Sequence, residues 1–483
     1  MAREGNSTEK QLAIAVFDVG KTNVKLNMVS PEGDMLDYRS IPNKIITDDP
    51  RWRRHDLAGT ETWLLSTLAE YAARFELLAF VTSGHGSAGV LVREAELSEP
   101  APALPMIDYE QALPEAIRQA YAPQAGGFFD RGSAIMLGAT HQARQIFWVE
   151  SEAKSEFEKA DWFLGVPQYW AWRLSGVAAS EVTYLAAQSH LWNVPGAHWS
   201  EIVHRRGWER LMPSFHPAWG RLGCIRQELA QRYELPADLP ILAGIHDSSA
   251  NFYRYQAAGF SNITVVSTGT WIVALSDHAD LKTLNEARGM TCNADLYGNP
   301  LGGALTMAGR EFTAIAGERA GGATASARIL RKLVEQGTMA IPSFGKDEGL
   351  FPGSAERGHI AGPKPTSDDE RLTLAVLYAA LVTNECLVAL SSEGHVILDG
   401  TFLREPLYAS AVAALRPQCE ILFNLDSHGV ASGAALLAMQ GAPGQTSSVN
   451  LRRPEPLDCP SLLEYARKWR SQASSSNTSF NEP

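Results

Sequence analysis

Cysteine is scarce in this chain. Its five cysteines, Cys224, Cys292, Cys386, Cys419 and Cys459, are odd in number, widely spaced and never form CxxC. That excludes a disulfide framework and a cysteine-ligated zinc site, and it reads as reduced thiols of a cytoplasmic protein. Long apolar runs are missing too. No stretch is expected to reach the roughly 20 apolar residues of a membrane span. The polar start MAREGNSTEKQ leads into an apolar run that Asp18 interrupts, so no signal-peptide core is expected. Positive charge is in short supply: 42 Lys+Arg against 54 Asp+Glu leave a net charge of -12. Nucleic-acid binding needs a basic face. The densest basic cluster, Arg51, Arg53 and Arg54, is flanked by Asp48, Asp49 and Asp56, as expected of a solvated loop. The absences point to a soluble cytoplasmic protein with neither a nucleic-acid nor a membrane partner.

With 45% apolar and 20% charged residues the chain can bury sizeable cores. The first and last ten residues are polar and expected as loose tails. Between them, short β-branched segments such as IAVFDVG, VKLNMVS and LLAFVTS alternate with helical spacing in GTETWLLSTLAEYAARF and SDDERLTLAVLYAALVTNECLVAL. The second of these helices starts at a Ser367/Glu370 capping box, and its near-continuous apolar character predicts burial. Such alternation is α/β. An internal echo sharpens it. VFDVGKTNVKL from Val16 overlays VVSTGTWIVAL from Val265 at a constant offset of 249 residues, putting Asp18 on Ser267 and Gly20 on Gly269. An offset near half the chain points to a duplicated domain.

Gly20-Lys21-Thr22 has the last letters of a P-loop, GxxxxGK[ST], but not its context. The first glycine would be residue 15, which is Ala15, and the residues after Thr22 alternate as a strand. The segment is therefore a β-hairpin turn. Such a turn still suits phosphate. Gly20 admits a close anion, Thr22 and Asn23 add donors, and Lys21 or Lys25 supplies charge. Asp18, at the strand end, suits a hydrated magnesium ion, which needs one or two carboxylates besides phosphates. Asp247 ends the strand LPILAGI and precedes a helix, where α/β sheets present ligands. It is a candidate general base.

The hairpin DVGKTNVK, its echo STGTW, VPQYWAWRLSG, GIHDSSAN, and DGTFLREPLYASAVAAL followed by ASGAALLA together resemble the FGGY carbohydrate kinases of the actin/hexokinase/Hsp70 ATPase superfamily. The resemblance runs from about Ala13 to LLEYARKW. It implies two actin-like (ribonuclease H-like) α/β domains, about 1–244 and 245–445, then 446–483 as a tail whose helix packs back on the first domain. In that helix Leu462, Tyr465, Ala466 and Trp469 share one face. The implied activity is transfer of the γ-phosphoryl group of ATP, with Mg2+, to a hydroxyl of a ketose, with Asp247 as base. The implied phosphate contacts are Gly20, Lys21, Thr22, Asn23, Lys25, Thr268, Gly269 and Thr270. Gly309, Gly400, Thr401 and Glu405 would meet adenosine, and Asp18 and Asp247 would hold the metal. Gly84, His85, Gln188, His246 and Asp247 would meet the sugar, with His190, Trp170 and Trp192 as weaker candidates. His246 before Asp247, Thr270-Trp271 and Asn285-Glu286 are similar to the rhamnulose kinases. The family's usual Gly-Gly pair is Asp399-Gly400-Thr401 here. The expected substrate is a small sugar, a deoxy-ketohexose such as rhamnulose or fuculose, with a ketopentose or polyol behind it. A homodimer is compatible with this reading. Rivals are a chaperone-like or regulatory ATPase, which needs no sugar base, and a non-catalytic sugar sensor, for which no DNA-binding segment is visible.

Overall fold

The computed structural model describes residues 10–317, 322–426, 428–441 and 449–475. All but a few residues of the expected tails lie outside these. Two mixed sheets carry the fold. The first contains β1 (Gln11–Val19), β2 (Asn23–Val29), β3 (Met35–Pro42), β4 (Phe75–Gly84), β5 (Arg221–Cys224), β6 (Pro240–Leu242) and β7 (Ile245–His246), in the order β5-β6-β4-β1-β2-β3 with β7 also on β4. The second contains β8 (Ile263–Thr268), β9 (Ile272–Ser276), β10 (Met290–Ala294), β11 (Pro300–Thr306), β12 (His395–Gly400) and β13 (Glu420–Phe423), in the order β10-β11-β9-β8-β12-β13.

The design is the same twice. β1 pairs antiparallel with β2 and parallel with β4, as β8 pairs antiparallel with β9 and parallel with β12. Helix Leu57–Arg74 makes the crossover to β4, and helix Asp368–Ala389 the crossover to β12. The central strands are apolar because both faces are covered: Ala13 to Phe17 and Val266 are fully buried. The echo is thus a duplicated domain, with one refinement. Opposite Asp18 stands Lys25, whereas opposite Ser267 stands Val273, one residue short of Lys25 plus the offset. The second hairpin is one residue shorter, so the repeat slips after its glycine.

Three expectations are corrected. First, helix Asp368–Ala389 is long and apolar enough to span a membrane, with mean hydropathy 1.8, but 94% of that apolar window is buried in the second core. Second, the C-terminal helix Leu462–Ser475 docks on the second domain, not the first. The Tyr465 hydroxyl donates to Thr338 O (2.5 Å), Trp469 Nε1 to Ala340 O (2.6 Å), and Arg470 pairs with Glu385 (2.6 Å). The shared face is the expected one, but its apolar partners are Phe351 and Tyr378 of the second half. Third, ASGAALLA, likened to part of the adenosine region, is mostly core, with only Ala431 at a cavity, the one that holds Asp18 and Asp247. Helix Gly429–Ala435 packs between helix Asp247–Ala257 and the first sheet, in a core with Ile14, Val16 and Val81. A Cβ on Gly433 would lie 1.9 Å from Ala250 O, so only glycine permits that contact. The boundary expected at 244/245 also falls inside first-sheet pairing, since Ile245 and His246 lie opposite Ser83 and Gly84.

Candidate active site

Asp247 starts its helix directly after β7, so the strand end fixes its Cα and the helix N-terminus faces its carboxylate. Oδ1 accepts from Ser248 N (2.5 Å) and Ser248 Oγ (3.2 Å), and His246 Nε2 lies 3.1 Å from the same oxygen. Oδ2 carries none of these bonds. Burial raises the Asp247 carboxyl to about 6. Burial likewise lowers His246 to about 3, so its imidazole is neutral. The Ser249 hydroxyl lies 3.2 Å from both His246 Nδ1 and Ala294 O.

Asp247 stands where two cavities meet. One, of about 280 Å³, also holds Asp18, Lys25, Thr268, Gly269 and Gly400. Asp18 is raised to about 6 by burial; Lys25, opposite it in the hairpin, pulls it down, and the Asp247 charge pushes it up. Two half-buried carboxylates that repel each other, beside a phosphate-competent turn, are a donor set that fits a magnesium ion keeping most of its waters. Among the described residues no cluster of three or more metal-ligating side chains exists, which agrees with a site completed by phosphate oxygens.

The second cavity, of about 250 Å³, shares Asp247, Ser248, Trp271 and Val273 with the first and adds His85, Tyr109, Met136, Gln188, His246 and Leu305. Its lining mixes polar and apolar side chains. His85 is half-buried, its imidazole lowered well below the usual range by desolvation and then by His55 and Lys21, and both ring nitrogens are buried with no hydrogen-bond partner among the described residues. Unpartnered buried donors and acceptors aimed into a cavity are what hydroxyl recognition requires. A third cavity, of about 620 Å³, takes Lys21, Thr22, Gly269, Thr270, Gly309, Thr401 and Glu405 among its walls. The turn Gly269-Thr270 belongs to all three spaces between its two residues.

Several expected residues sit elsewhere. Gly20 and Asn23 close the first turn, Gly20 N donating to Asn23 O (3.0 Å), and line none of these cavities. Gly400 faces the carboxylate cavity, not the large one; at φ 96° it lets β12 press against Thr268 O. Gly84 lies behind the sugar-side wall, where a Cβ would meet Val166 at 2.9 Å. His190 and Trp170 are buried, and Trp170 packs edge-on against Phe17. Trp192 packs edge-on against Trp199 and tilted against Phe215. His190, Trp170 and Trp192 line none of these three cavities.

Other residues had no signal in the sequence. Asp108 ion-pairs with Lys21 and, at 2.9 Å, with Arg53. Burial pushes its carboxyl up, but these cations outweigh that and hold it below the usual range. Next to it, Glu110 pairs with Arg310 of the second half, and Tyr109 lies 5.4 Å from the His85 ring. The segment IDYEQ matches no motif, so only the fold reveals it. Asn251, whose Nδ2 donates to Ser267 Oγ (2.8 Å), and Asp399, which accepts from the Tyr255 hydroxyl (2.7 Å), complete the carboxylate cavity.

Comparison with known proteins agrees with this geometry. A model of the FGGY carbohydrate kinase C-terminal domain matches residues 260–447, and one of the N-terminal domain of the FGGY family of carbohydrate kinases matches 124–252. The solved structure of a carbohydrate kinase from Novosphingobium aromaticivorans is 30% identical, with TM-score 0.83 over 96% of this chain and 99% of that one. A glycerol kinase from Plasmodium falciparum, solved with ADP, is 13% identical with TM-score 0.76 over 96% and 97% of the two chains, a likeness of fold. An L-fuculokinase from Salmonella typhi is 25% identical over 304 residues, 59% of this chain and 61% of that protein, so the match spans less than two thirds of that curated relative.

Proposed function

The chain belongs to the FGGY family of carbohydrate kinases, and from that premise we propose that it transfers the γ-phosphoryl group of ATP to a hydroxyl of a ketose. The observation that carries this is the meeting of three cavities at Asp247 and the Gly269-Thr270 turn. Nucleotide occupies the large cavity, its phosphates reaching the turn, and sugar occupies the cavity of His85, Gln188 and His246. Asp247 Oδ2 takes the hydroxyl proton, the oxygen bonds to the γ-phosphorus, and the bond from that phosphorus to the β–γ bridging oxygen breaks, releasing ADP. His246 and Ser248 fix the carboxylate through Oδ1 and leave Oδ2 to the substrate. Asp18 and Asp247 would hold a magnesium ion, which when bound would supply positive charge against the phosphate oxygens. Closure of the groove excludes water, which would otherwise accept the phosphoryl group.

The substrate we favour is a 6-deoxyketohexose, L-fuculose or L-rhamnulose. Met136, Trp271, Val273 and Leu305 give the sugar cavity apolar surface that suits a terminal methyl, besides the polar His85 and Gln188. The L-fuculokinase similarity supports the same class. The test is a coupled ADP-release screen over ketoses, aldoses and polyols. One 6-deoxyketose driving ADP release well above the sugar-free rate supports the reading. ADP release independent of sugar returns the chain to an ATPase on this fold, and a ketopentose or polyol as best substrate overturns the deoxy-sugar assignment.

A further inference from the structure

Two histidines behind the sugar cavity are spoken for by no step above. His141 and His190 are fully buried and stacked, with ring centroids 3.5 Å apart and planes 16° from parallel. Neither lines a cavity, yet every polar atom on both rings is engaged. Met136 N donates to His141 Nε2 (2.8 Å), so that nitrogen is an acceptor and the ring proton sits on Nδ1, which donates to Gln188 O (2.7 Å). Burial, then Arg144, hold this imidazole well below its usual range, so the neutral tautomer persists. His190 bonds through Nδ1 to the Tyr121 hydroxyl (2.8 Å) and through Nε2 to Ser133 Oγ (3.0 Å).

The two residues whose backbones His141 joins, Gln188 through its carbonyl and Met136 through its N–H, both line the sugar cavity. The chain at this wall is also strained. Gln188 and His190 both adopt the left-handed region, at φ 54° and 63°, a conformation that costs a non-glycine residue on the order of 1 kcal/mol or more and persists only where the surroundings over-determine it. The imidazole bonds supply that determination. We propose, resting on the kinase reading, that His141, backed by His190, is a positioning residue that sets acceptor specificity. It holds two residues that line the sugar cavity, the polar Gln188 and the apolar Met136, at a fixed separation.

The test exploits the two ends of the ring. His141→Gln keeps an acceptor near the Nε2 position for Met136 and loses the Gln188 tether; His141→Asn keeps a donor near Nδ1 for Gln188 and loses the Met136 tether. Steady-state kinetics are measured with a 6-deoxyketohexose and with the ketohexose of the same configuration bearing a 6-hydroxyl. His141→Gln is expected to raise KM for both sugars about tenfold, one bond's worth, with kcat and KM for ATP within about twofold. His141→Asn is expected to lower the preference for the deoxy sugar about tenfold, with a smaller rise in KM for the hydroxylated one. Ser133→Ala, which loosens only the outer ring, should give a weaker KM rise of the same kind, and it carries the test if the inner variants are insoluble. Sugar KM unchanged in these proteins, or KM for ATP, kcat and thermal stability falling in parallel with it, overturns the clamp and makes the pair ordinary core. A wild type with no sugar-dependent turnover overturns the kinase reading and the clamp with it; a sugar-active wild type with indifferent variants overturns the clamp alone.

Discussion

Replacing Asp247 by asparagine should move activity and stability in opposite directions. The carboxyl is raised from 3.8 to about 6 by burial. A folded-state value above the unfolded one means that ionisation opposes folding. The native state keeps its proton between these two values while the unfolded chain has lost it, so stability declines as pH rises through that window and stays low above it. A difference of about 2 pK units corresponds to roughly 3 kcal/mol. The side chain is 29% exposed, so solvent screening reduces this to about 1–2 kcal/mol. Asparagine retains Oδ1 for the Ser248 bonds and carries no charge. In chelator-treated protein at pH 8 Asp247→Asn should therefore melt about 2–8 °C above wild type, and near pH 4 the two should melt together. The same substitution removes the proton acceptor and should cut kcat roughly a hundred- to ten-thousand-fold. Differential scanning calorimetry at the two pH values, with ADP release alongside, decides it. A variant that is less stable at pH 8, or that keeps wild-type turnover, would show that Asp247 is neither a strained buried charge nor the base.

Asp18→Asn leaves Asp247 and Asp399 as the carboxylates of its cavity, only the first of them expected at the metal; half-saturation by free Mg2+ in the ADP assay should rise at least about tenfold, and an unchanged magnesium titration would remove Asp18 from the metal site. Gly309→Ala places a methyl 2.1 Å from Gly269 O and 2.7 Å from Thr270 O, so the second turn must move. KM for ATP should rise by about an order of magnitude or more with sugar KM much less affected, whereas equal changes in both would deny Gly309 a place at the nucleotide. Trp469→Ala removes a fully buried ring and its bond to Ala340 O. It should cost about 3–5 kcal/mol, read as a lowered midpoint in urea, and a loss under about 1 kcal/mol would mean that the C-terminal helix is not held on the second domain.

The duplicated design was legible because it is written locally. Asp18-x-Gly20 and Ser267-x-Gly269 end apolar strands at tight turns, and alternation and glycine placement report such turns without knowledge of the rest of the chain. Asp247 was legible for the same reason, at a strand end ahead of a helix. The C-terminal helix was half legible. Spacing in Leu462, Tyr465 and Trp469 gives the buried face, but which core receives it depends on Phe351 and Tyr378, more than 80 residues away in sequence. The slip of one residue between the hairpins shows the limit within a motif: the glycines align, yet Val273 and not Ala274 faces Ser267.

What the sequence could not show is the set of residues that the fold brings to the site from segments without periodicity or motif. Asp108 meets Lys21 across 87 positions, and Glu110 meets Arg310 across 200. These pairs give Lys21 partners that no motif announces. Lys21 was expected, with Lys25 as the alternative, to supply charge to phosphate; in the structure a buried carboxylate flanked by Arg53 holds it at the rim between the cavities of about 620 and 250 Å³. Because Asp108 is fully buried and already doubly paired, a phosphate drawing Lys21 away would still leave Arg53 to satisfy it. The ion pair therefore keeps Lys21 in place at little cost to its use. The loop of Asp108 to Glu110 touches the first hairpin, His85 and the second-half Arg310 at once, so it joins the two domains beside the cavities proposed for the two substrates.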